Sequence, residues 1–244
     1  MEEKLRKDIE SIRKILGKAR HVVFFGGAGM STESGIPDFR GSGGLYTSEG
    51  AGNEYYLSRR CLTIDPRAFY RFYNQNMIFP DAKPNRAHYA LARLEEKGMI
   101  KAVITQNIDG LHQAAGSRRV IELHGTVSRS YCMRCGKIFD RACIDGQTDI
   151  PKCSACGGIV RPDVTLYGES LDGFTFRDAE NEVAVADVLI VGGSSLTVFP
   201  AASLVGNFNG TLIIINYSPT AYDSSADYVI PASVSDVLEK LCED

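Results

Sequence analysis

Residues 22–41 read VVFFGGAGMSTESGIPDFRG, and this stretch decides the fold. Four apolar residues lead into three glycines among four residues, and small hydroxyl side chains follow. That order is typical of a buried parallel strand that turns into a helix, whose free N–H groups can face a phosphate. The stretch therefore predicts a dinucleotide-binding loop.

The alternative is a glycine-rich turn that binds nothing, since a Gly-x-Gly-x-x-Gly pattern alone is a weak signal. Here Thr32 stands where the third glycine is expected. A hydride-transfer dehydrogenase keeps a ribose-binding acid at a strand end about twenty residues further on. Residues 41–53 are instead rich in glycine, so such a dehydrogenase fits poorly.

Length and composition narrow the class of protein. The chain has 244 residues, 44% of them hydrophobic, which allows one large domain or a large domain that carries a small one. A net charge of −3 and a pI of about 5.9 argue against nucleic-acid binding driven by charge. The charged first residues and the lack of a long apolar run argue against a signal peptide or a membrane span. We expect a soluble, cytoplasmic protein.

Apolar runs predict six strands, at about residues 21–25, 101–105, 120–123, 188–191, 212–215 and 228–230. Helical spacing predicts a first helix that stops near Gly17, a second that runs from Asn85 to Gly98, and a last helix after residue 233. Residues 41–83 combine glycine-rich loops with a sequence that has helical spacing and many aromatic residues. This segment either covers the sheet edge or moves over a ligand.

Five of these strands finish in a polar or glycine cluster. The clusters are Gly26 to Ser31, Gln106 to Asp109, His124, Gly192 to Ser195, and Asn216. In an open parallel sheet, ligands bind outside the carboxyl ends of the strands. We therefore expect these remote segments to meet in one crevice.

Two Cys-x-x-Cys pairs predict a metal site. The four cysteines are Cys132, Cys135, Cys153 and Cys156, with seventeen residues between the pairs. This spacing suits four thiolates around one Zn²⁺, which leaves no open position and makes the zinc structural. A redox pair is the alternative. A zinc deaminase is disfavoured because Gly125 and Thr126 follow His124 where a His-x-Glu element would be needed.

Taken together, the motifs resemble those of the sirtuin family of NAD-dependent protein lysine deacylases, in order and over nearly the whole chain. The matching segments are GAGMS at 27–31, GIPDFR at 35–40, TQNIDGLH at 105–112, HG at 124–125, the four cysteines, and GSS at 193–195. Their combination is far more specific than any one of them.

The resemblance implies an α/β fold, with a Rossmann-like parallel sheet that carries helices on both faces. The NAD-binding domain would comprise residues 1–40, 84–127 and 161–244. A small domain would combine a helical insertion with the cofactor loop, residues 41–83, and a zinc ribbon, residues 128–160. NAD as co-substrate and an acyl-lysine peptide would meet in the cleft between the domains.

The resemblance also implies roles for single residues. NAD contacts are expected from Ala28, Thr32, Arg40, Gln106, Ser194, Ser195, Asn216 and Val234. Phe39 is expected beside the nicotinamide pocket, with Ile108 and Asp109 on the carboxamide. Asn107 would order water and ribose near the reacting carbon, and His124 would be the catalytic base, since histidine titrates near neutrality.

The expected reaction transfers the acetyl group of acetyl-lysine to ADP-ribose and releases nicotinamide, with acetylated proteins as substrates and a monomeric enzyme. A protein ADP-ribosyltransferase or a non-catalytic NAD sensor on the same fold is the alternative. For His124 itself, the alternative is a hydrogen-bonded histidine at a strand end. Asp38 and Asp109 could be helix caps. His88 is expected to be a surface or packed residue, and His112 to brace the helix after Asp109.

The chain departs from the family pattern at a few positions. Gly26 stands where threonine is common, and Asp172 follows Leu171 where proline is common, so the shape of that loop is not inferred. Relatives that prefer acidic acyl groups tend to have an arginine three residues after a tyrosine. Here Asn76 follows Tyr73 at that spacing, which predicts uncharged acyl groups over succinyl.

Overall fold

The computed structural model describes residues 2–39, 41, 44–46, 52–145 and 149–243. The predicted NAD contact Arg40 lies outside the described residues. The strands in chain order are β1 Val22–Gly26, β2 Ala102–Thr105, β3 Val120–Glu122, β4 Gly125–Cys132, β5 Ile138–Asp140, β6 Val160–Val164, β7 Val188–Gly192, β8 Thr211–Ile215 and β9 Tyr228–Ile230. All six strands expected from apolar runs are present.

The α-helices in chain order are α1 Glu2–Leu16, α2 Arg59–Ile64, α3 Pro66–Asn76, α4 Arg86–Glu96, α5 Leu111–Ala114, α6 Gly173–Ala184, α7 Ser203–Gly206 and α8 Val234–Cys242. Several begin at side chains that accept a backbone N–H in the first turn, as Asp65 does for α3 and Asn85 for α4. Asp172 caps α6 in the same way, which explains the residue at this unusual position. In the described part of the chain, no helix is long and apolar enough to cross a bilayer.

A six-stranded parallel sheet forms the centre of the large domain, in the order β3-β2-β1-β7-β8-β9. Every residue of β1 is buried, as expected for a parallel strand covered on both faces. Phe24 faces a core shared with α1, α4 and α8, whereas Phe25 faces a core shared with α6 and α7. The predicted fold class, a Rossmann-like sheet with helices on both faces, is confirmed.

The strand order reverses beside β1. The chain builds outward from β1 through β2 and β3, and then returns to the other side of β1 through β7. Ligands of open α/β sheets bind at such a switch point, outside the carboxyl ends of the strands. In this chain, Gly26, Thr105 and Gly192 lie side by side there in the strand register.

The segment after β1 differs from the expected helix. Two short 3-10 turns, Ala28–Met30 and Thr32–Ser34, follow the glycines, and the second ends at Gly35 with φ of 82°. The prediction that β1 turns directly into a helix is therefore wrong. A 3-10 turn is too short to carry a sizeable macrodipole.

A second, three-stranded antiparallel sheet, in the order β5-β4-β6, builds the small domain. Its core also contains side chains of α2 and α3, and the Tyr70 hydroxyl of α3 donates to the Val160 carbonyl at 2.5 Å. The helical insertion and the zinc ribbon therefore share one core. Strands β4 and β6 run across the domain limits that we expected at residues 127 and 161.

Candidate active site

The glycines of the loop after β1 are needed for close packing against the loop after β7. Gly27 donates its N–H to the Gly192 carbonyl at 3.1 Å, and Gly29 donates to Gly193 at 2.8 Å. A Cβ on Gly27 would lie 2.8 Å from the Gly193 carbonyl oxygen, and one on Gly29 would lie 2.8 Å from Gly193 Cα. Side chains at these positions would separate the two loops that frame the cleft.

A short chain of hydrogen bonds runs through Ser31, which is 1% exposed. The Ser31 hydroxyl donates to Asp109 Oδ2 at 2.6 Å and accepts from Asn107 Nδ2 at 3.0 Å. Because serine has one proton to give, this arrangement fixes the amide of Asn107 with its nitrogen toward Ser31. Asp109 Oδ1 accepts from the Leu111 N–H at the start of α5 at 2.9 Å, although the N-cap residue of this helix is Gly110.

Ser31 was expected in the crevice as the last residue of the Gly26 to Ser31 cluster, but no individual role was predicted for it. Its small hydroxyl side chain, two residues after the last of the three glycines, is the signal that could have identified that role.

A second contact joins the ends of β2 and β7 across β1. Gln106 Nε2 donates to Ser194 Oγ at 2.8 Å, and Ser194 is 4% exposed. The neighbouring Ser195 is exposed and shares a hydrogen bond with Thr197 at 2.9 Å. The structure thus brings three of the predicted NAD contacts to one rim.

His124 lies between β3 and β4, and its ring is oriented by the backbone. Nδ1 lies 2.9 Å from the Gln106 carbonyl oxygen, which can only accept, so Nδ1 carries the proton. Nε2 then has a free lone pair and makes no hydrogen bond among the described residues. Burial lowers the pKa of His124 from its ordinary value, against the opposing effect of the bond to Gln106. His124 is therefore neutral at pH 7, the form that a base requires.

Ile108 and Phe39 lie where the two domains meet. The Ile108 carbonyl accepts from the Val127 N–H of β4 at 2.9 Å, and both Ile108 and Phe39 pack against the core of the small domain. The Phe39 ring centroid lies 5.3 Å from that of Tyr46. These contacts make Phe39 and Ile108 part of an apolar surface at the junction of the two domains.

The other predicted NAD contacts lie along the same edge of the sheet. Ala28 and Thr32 belong to the loop after β1, Asn216 directly follows β8, and Val234 opens α8. Thr32 Oγ1 donates to the Gly29 carbonyl at 3.1 Å. Asn216 is half-buried, and its Nδ2 donates to a backbone carbonyl two residues further on at 2.7 Å.

The four cysteines of the small domain converge as expected. Their sulfur atoms all lie within 4.8 Å of one another, with 3.5 Å between Cys132 and Cys156 and 3.7 Å between Cys135 and Cys153. Zinc–sulfur bonds of about 2.3 Å in a tetrahedron place the sulfurs about 3.8 Å apart, so the cluster fits one Zn²⁺. Four thiolates leave no coordination position for water, and the zinc is structural.

A buried ion pair supports the segment after β6. Arg161 is 3% exposed and binds Glu169 through two bonds, of 2.6 and 3.0 Å. It also donates to the Val164 carbonyl at 2.6 Å. Burial raises the pKa of Glu169, but the hydrogen bonds from Arg161 and from the Leu166 N–H, together with the charges of Arg161 and Arg59, hold the pKa below its ordinary value.

This segment forms one wall of a groove beside His124. The groove has a volume of about 1080 Å³, and Gly125, Thr165, Gly168 and Ser170 contribute to its walls. The Thr165 N–H donates to the His124 carbonyl at 2.8 Å, so the groove adjoins the base.

The residues behind the acyl-group prediction lie in the small domain. Tyr73 is 1% exposed and stacks on Phe69 with 5.8 Å between ring centroids, so it belongs to the core. Asn76 donates its amide to the Phe72 carbonyl one turn earlier at 2.9 Å. Neither side chain offers a positive charge to an acidic acyl group.

The fold and the site define an α/β protein with a dinucleotide cleft at the switch point of its sheet and a thiolate zinc site in a small second domain. Residues 27–200 match the model of the Sir2 family. A curated relative from Clostridium acetobutylicum, named NAD-dependent protein deacetylase, is 52% identical over 95% of this chain and 96% of its own length. One of the same name from Clostridium perfringens is 47% identical over the full length of both chains.

Solved structures agree with these relatives. A Sir2 variant bound to a deacetylated p53 peptide and 3'-O-acetyl ADP-ribose is 39% identical, with a TM-score of 0.88 over 96% of both chains. A complex of a Sir2 homologue with NAD is 37% identical, with a TM-score of 0.87 over 96% of this chain and 92% of the other. The chain belongs to the Sir2 family.

Proposed function

We propose that the protein is an NAD-dependent protein lysine deacetylase, which transfers the acetyl group of acetyl-lysine to ADP-ribose and releases nicotinamide. The observation that carries this proposal is the meeting of His124, the Asn107–Ser31–Asp109 chain and the Gln106–Ser194 pair at one edge of the sheet. The relatives named NAD-dependent protein deacetylase and the neighbour bound to acetyl ADP-ribose support it.

The first step breaks the bond between nicotinamide and ribose. Nicotinamide leaves NAD as a neutral molecule, so the step needs no strong acid, and the site must instead exclude water and stabilise an oxocarbenium-like sugar. Ile108 and Asp109 are assigned to the carboxamide of nicotinamide, with Phe39 beside the ring. Asn107 is assigned to the ribose and its water, because Ser31 fixes the nitrogen of its amide and leaves the oxygen available.

The second step uses His124. The acetyl oxygen of the substrate captures the sugar carbon, and the lone pair of His124 Nε2 then removes a proton from a ribose hydroxyl. The resulting alkoxide attacks the bound acyl carbon, and the lysine amine leaves with the proton that His124 has collected. Water then adds to the remaining cyclic cation, loses a proton and gives acetyl ADP-ribose. The hydrogen bond from Nδ1 to the Gln106 carbonyl holds the ring in the tautomer that this step requires.

The decisive experiment incubates the protein with an acetyl-lysine peptide, with and without NAD, and measures nicotinamide and acetyl ADP-ribose. We expect both products only when NAD and peptide are present together. Radiolabel that moves from NAD onto protein would indicate an ADP-ribosyltransferase instead. Intact NAD after long exposure to the peptide would overturn the enzyme assignment.

His124→Ala separates the enzyme from an NAD sensor. We expect kcat to fall by about 10² to 10⁴, because general base catalysis is lost, while NAD still binds. His21 is the matched control, since it lies at the opposite end of β1 and binds Glu182 at 2.8 Å. His21→Ala should leave kcat unchanged.

The proposal also covers the acyl-group preference, the cellular location and the oligomeric state of the enzyme. The enzyme acts on uncharged acyl groups, acetyl above all, in preference to succinyl, because Asn76 stands where an arginine would pair an acidic acyl group. It works as a cytoplasmic monomer on acetylated proteins, without direct nucleic-acid binding. Paired acetyl-lysine and succinyl-lysine peptides in one assay test the preference, and faster succinyl turnover would contradict it.

A further inference from the structure

Two histidines that take no part in the proposed chemistry lie directly behind the site. His88 of α4 is fully buried and His112 of α5 is 1% exposed. Their rings meet edge to face, with 4.8 Å between centroids and 63° between planes. Together they form a buried imidazole pair, which is unusual because histidine is ordinarily at least partly exposed.

Three of the four ring nitrogens of the imidazole pair make no hydrogen bond among the described residues. His88 Nδ1 lies 2.9 Å from Asn85 Oδ1, but His88 Nε2 and both ring nitrogens of His112 have no hydrogen-bond partner among the described residues. A buried polar atom without a partner costs about 1–3 kcal/mol of stability. An apolar ring of similar size would fill the same space without this cost. A residue type that lowers stability in this way points to a function.

One end of the imidazole pair is tied to the segment that bears Ser31. Asn85, which accepts the His88 backbone N–H, donates its Nδ2 to the Met30 carbonyl at 2.7 Å. Met30 directly precedes Ser31. The position of His88 is therefore coupled to the Ser31 hydroxyl through two hydrogen bonds and one peptide unit.

The other end is tied to Asp109. His112 lies in the first turn of α5, and Asp109 Oδ1 accepts the Leu111 N–H at the start of that turn. On its other side, His112 Nε2 faces Gly26 and lies 3.8 Å from where a Cβ on that glycine would be. His112 thus connects the end of β1 to the first turn of α5, which Asp109 binds through the Leu111 N–H.

We propose that His88 and His112 are positioning residues, which set the separation and orientation of Ser31 and Asp109 for binding the nicotinamide end of NAD. The pair connects the two elements that carry the donor and the acceptor of the 2.6 Å bond between Ser31 and Asp109. A neutral pair suits this role, because a charged imidazole beside Asp109 would compete with Ser31 for the carboxylate. Burial lowers the pKa of His88 to about 4 and that of His112 to about 3.

The test is His112→Phe, which keeps the ring and removes both nitrogens. The inference rests on the deacetylase proposed above, so the experiment measures stability and NAD affinity as well as turnover. We expect an unchanged or higher Tm, an increase of about tenfold in both the Kd and the KM for NAD, and an unchanged KM for the acetyl-lysine peptide. His112→Gln returns a polar atom near Nε2 and should recover part of the loss.

His21→Phe is the matched control, because it makes the same change at the opposite end of β1, and it should leave the Kd for NAD unchanged. A purely structural role would lower the Tm of His112→Phe and raise both KM values together, which would overturn the proposal. Failure of that variant to fold, or an unaltered Kd for NAD, would also overturn it. If the wild-type protein released no nicotinamide, the deacetylase assignment would fail, while Tm and Kd would still decide the role of His112.

Discussion

The zinc ribbon and the NAD cleft use polar side chains in opposite ways. In the ribbon, Cys132, Cys135, Cys153 and Cys156 all point at one centre, and every sulfur is used there. In the cleft, His124 and Asn107 each bind the protein through one nitrogen and keep a second polar atom available, which is Nε2 in His124 and the amide oxygen in Asn107. A metal site whose four ligands are all protein thiolates can only stabilise the fold, whereas side chains with an available polar atom can act on a substrate.

The zinc ribbon and the NAD cleft are connected by one strand. His124 directly precedes β4, and β4 ends at Cys132, so one strand connects the base to the metal cluster. We therefore expect changes in the ribbon to act on folding first and on turnover as a consequence, and changes in the cleft to act on turnover alone.

The largest effect should come from removing one ligand of the zinc site. Cys153→Ala removes one of four thiolates, and structural zinc sites contribute about 10–16 kcal/mol in apparent binding free energy at pH 7. We expect loss of bound zinc by metal analysis, a large fall in Tm, and loss of deacetylation. Cys242→Ala is the control, because that thiol lies outside the cluster and contacts the Ala90 carbonyl. A zinc-free Cys153→Ala protein with wild-type Tm would refute the structural role.

Next in size is the ion pair between the regions. Arg161→Ala leaves the half-buried Glu169 without its partner, which should cost up to about 3–5 kcal/mol in the free energy of unfolding. Urea unfolding measures this cost. Arg129→Ala breaks an exposed pair with Asp163 on the same sheet and should cost at most about 1 kcal/mol. Equal costs for the two variants would show that burial of Arg161 does not matter.

The pH dependence of kcat/KM tests the role of His124 in the NAD cleft. Because burial lowers the pKa of His124, its neutral form persists below the ordinary histidine range, and base catalysis is lost only as pH falls through the lowered pKa. We expect an acid limb with a slope of about one decade per pH unit, displaced below the pKa of a solvent-exposed histidine. An acid limb above pH 7 would contradict the assigned environment of His124.

The smallest effect is expected at the junction of α3 and the ribbon. Tyr70→Phe removes the buried hydrogen bond to the Val160 carbonyl, which should cost about 1–2 kcal/mol in unfolding free energy. The KM for NAD should stay unchanged, because the pair lies in the core of the small domain. A marked rise in that KM would instead place this core in direct contact with cofactor binding.

Much of the large domain could be predicted because its signals are local. Apolar runs such as 188–191 and 212–215 identify buried parallel strands, and the polar residues that follow them mark the carboxyl edge of the sheet. The strands of the small domain were not predicted, because they are antiparallel, β5 has only three residues, and a shift in register interrupts β4 between Thr126 and Ser130. Their packing also depends on α3, which lies far away in the sequence.

By itself, the sequence determined the α/β class, the polar clusters at the carboxyl ends of the strands and the four zinc ligands, because each of these depends on the spacing of residue types along the chain. Only the tertiary structure decided which hydrogen bonds those residues make. It joined Ser31 to Asp109, turned the Nδ1–H of His124 toward the Gln106 carbonyl, and placed His88 against His112. These contacts join segments up to 78 residues apart in the chain, and such pairings are set by the packing of strands and helices.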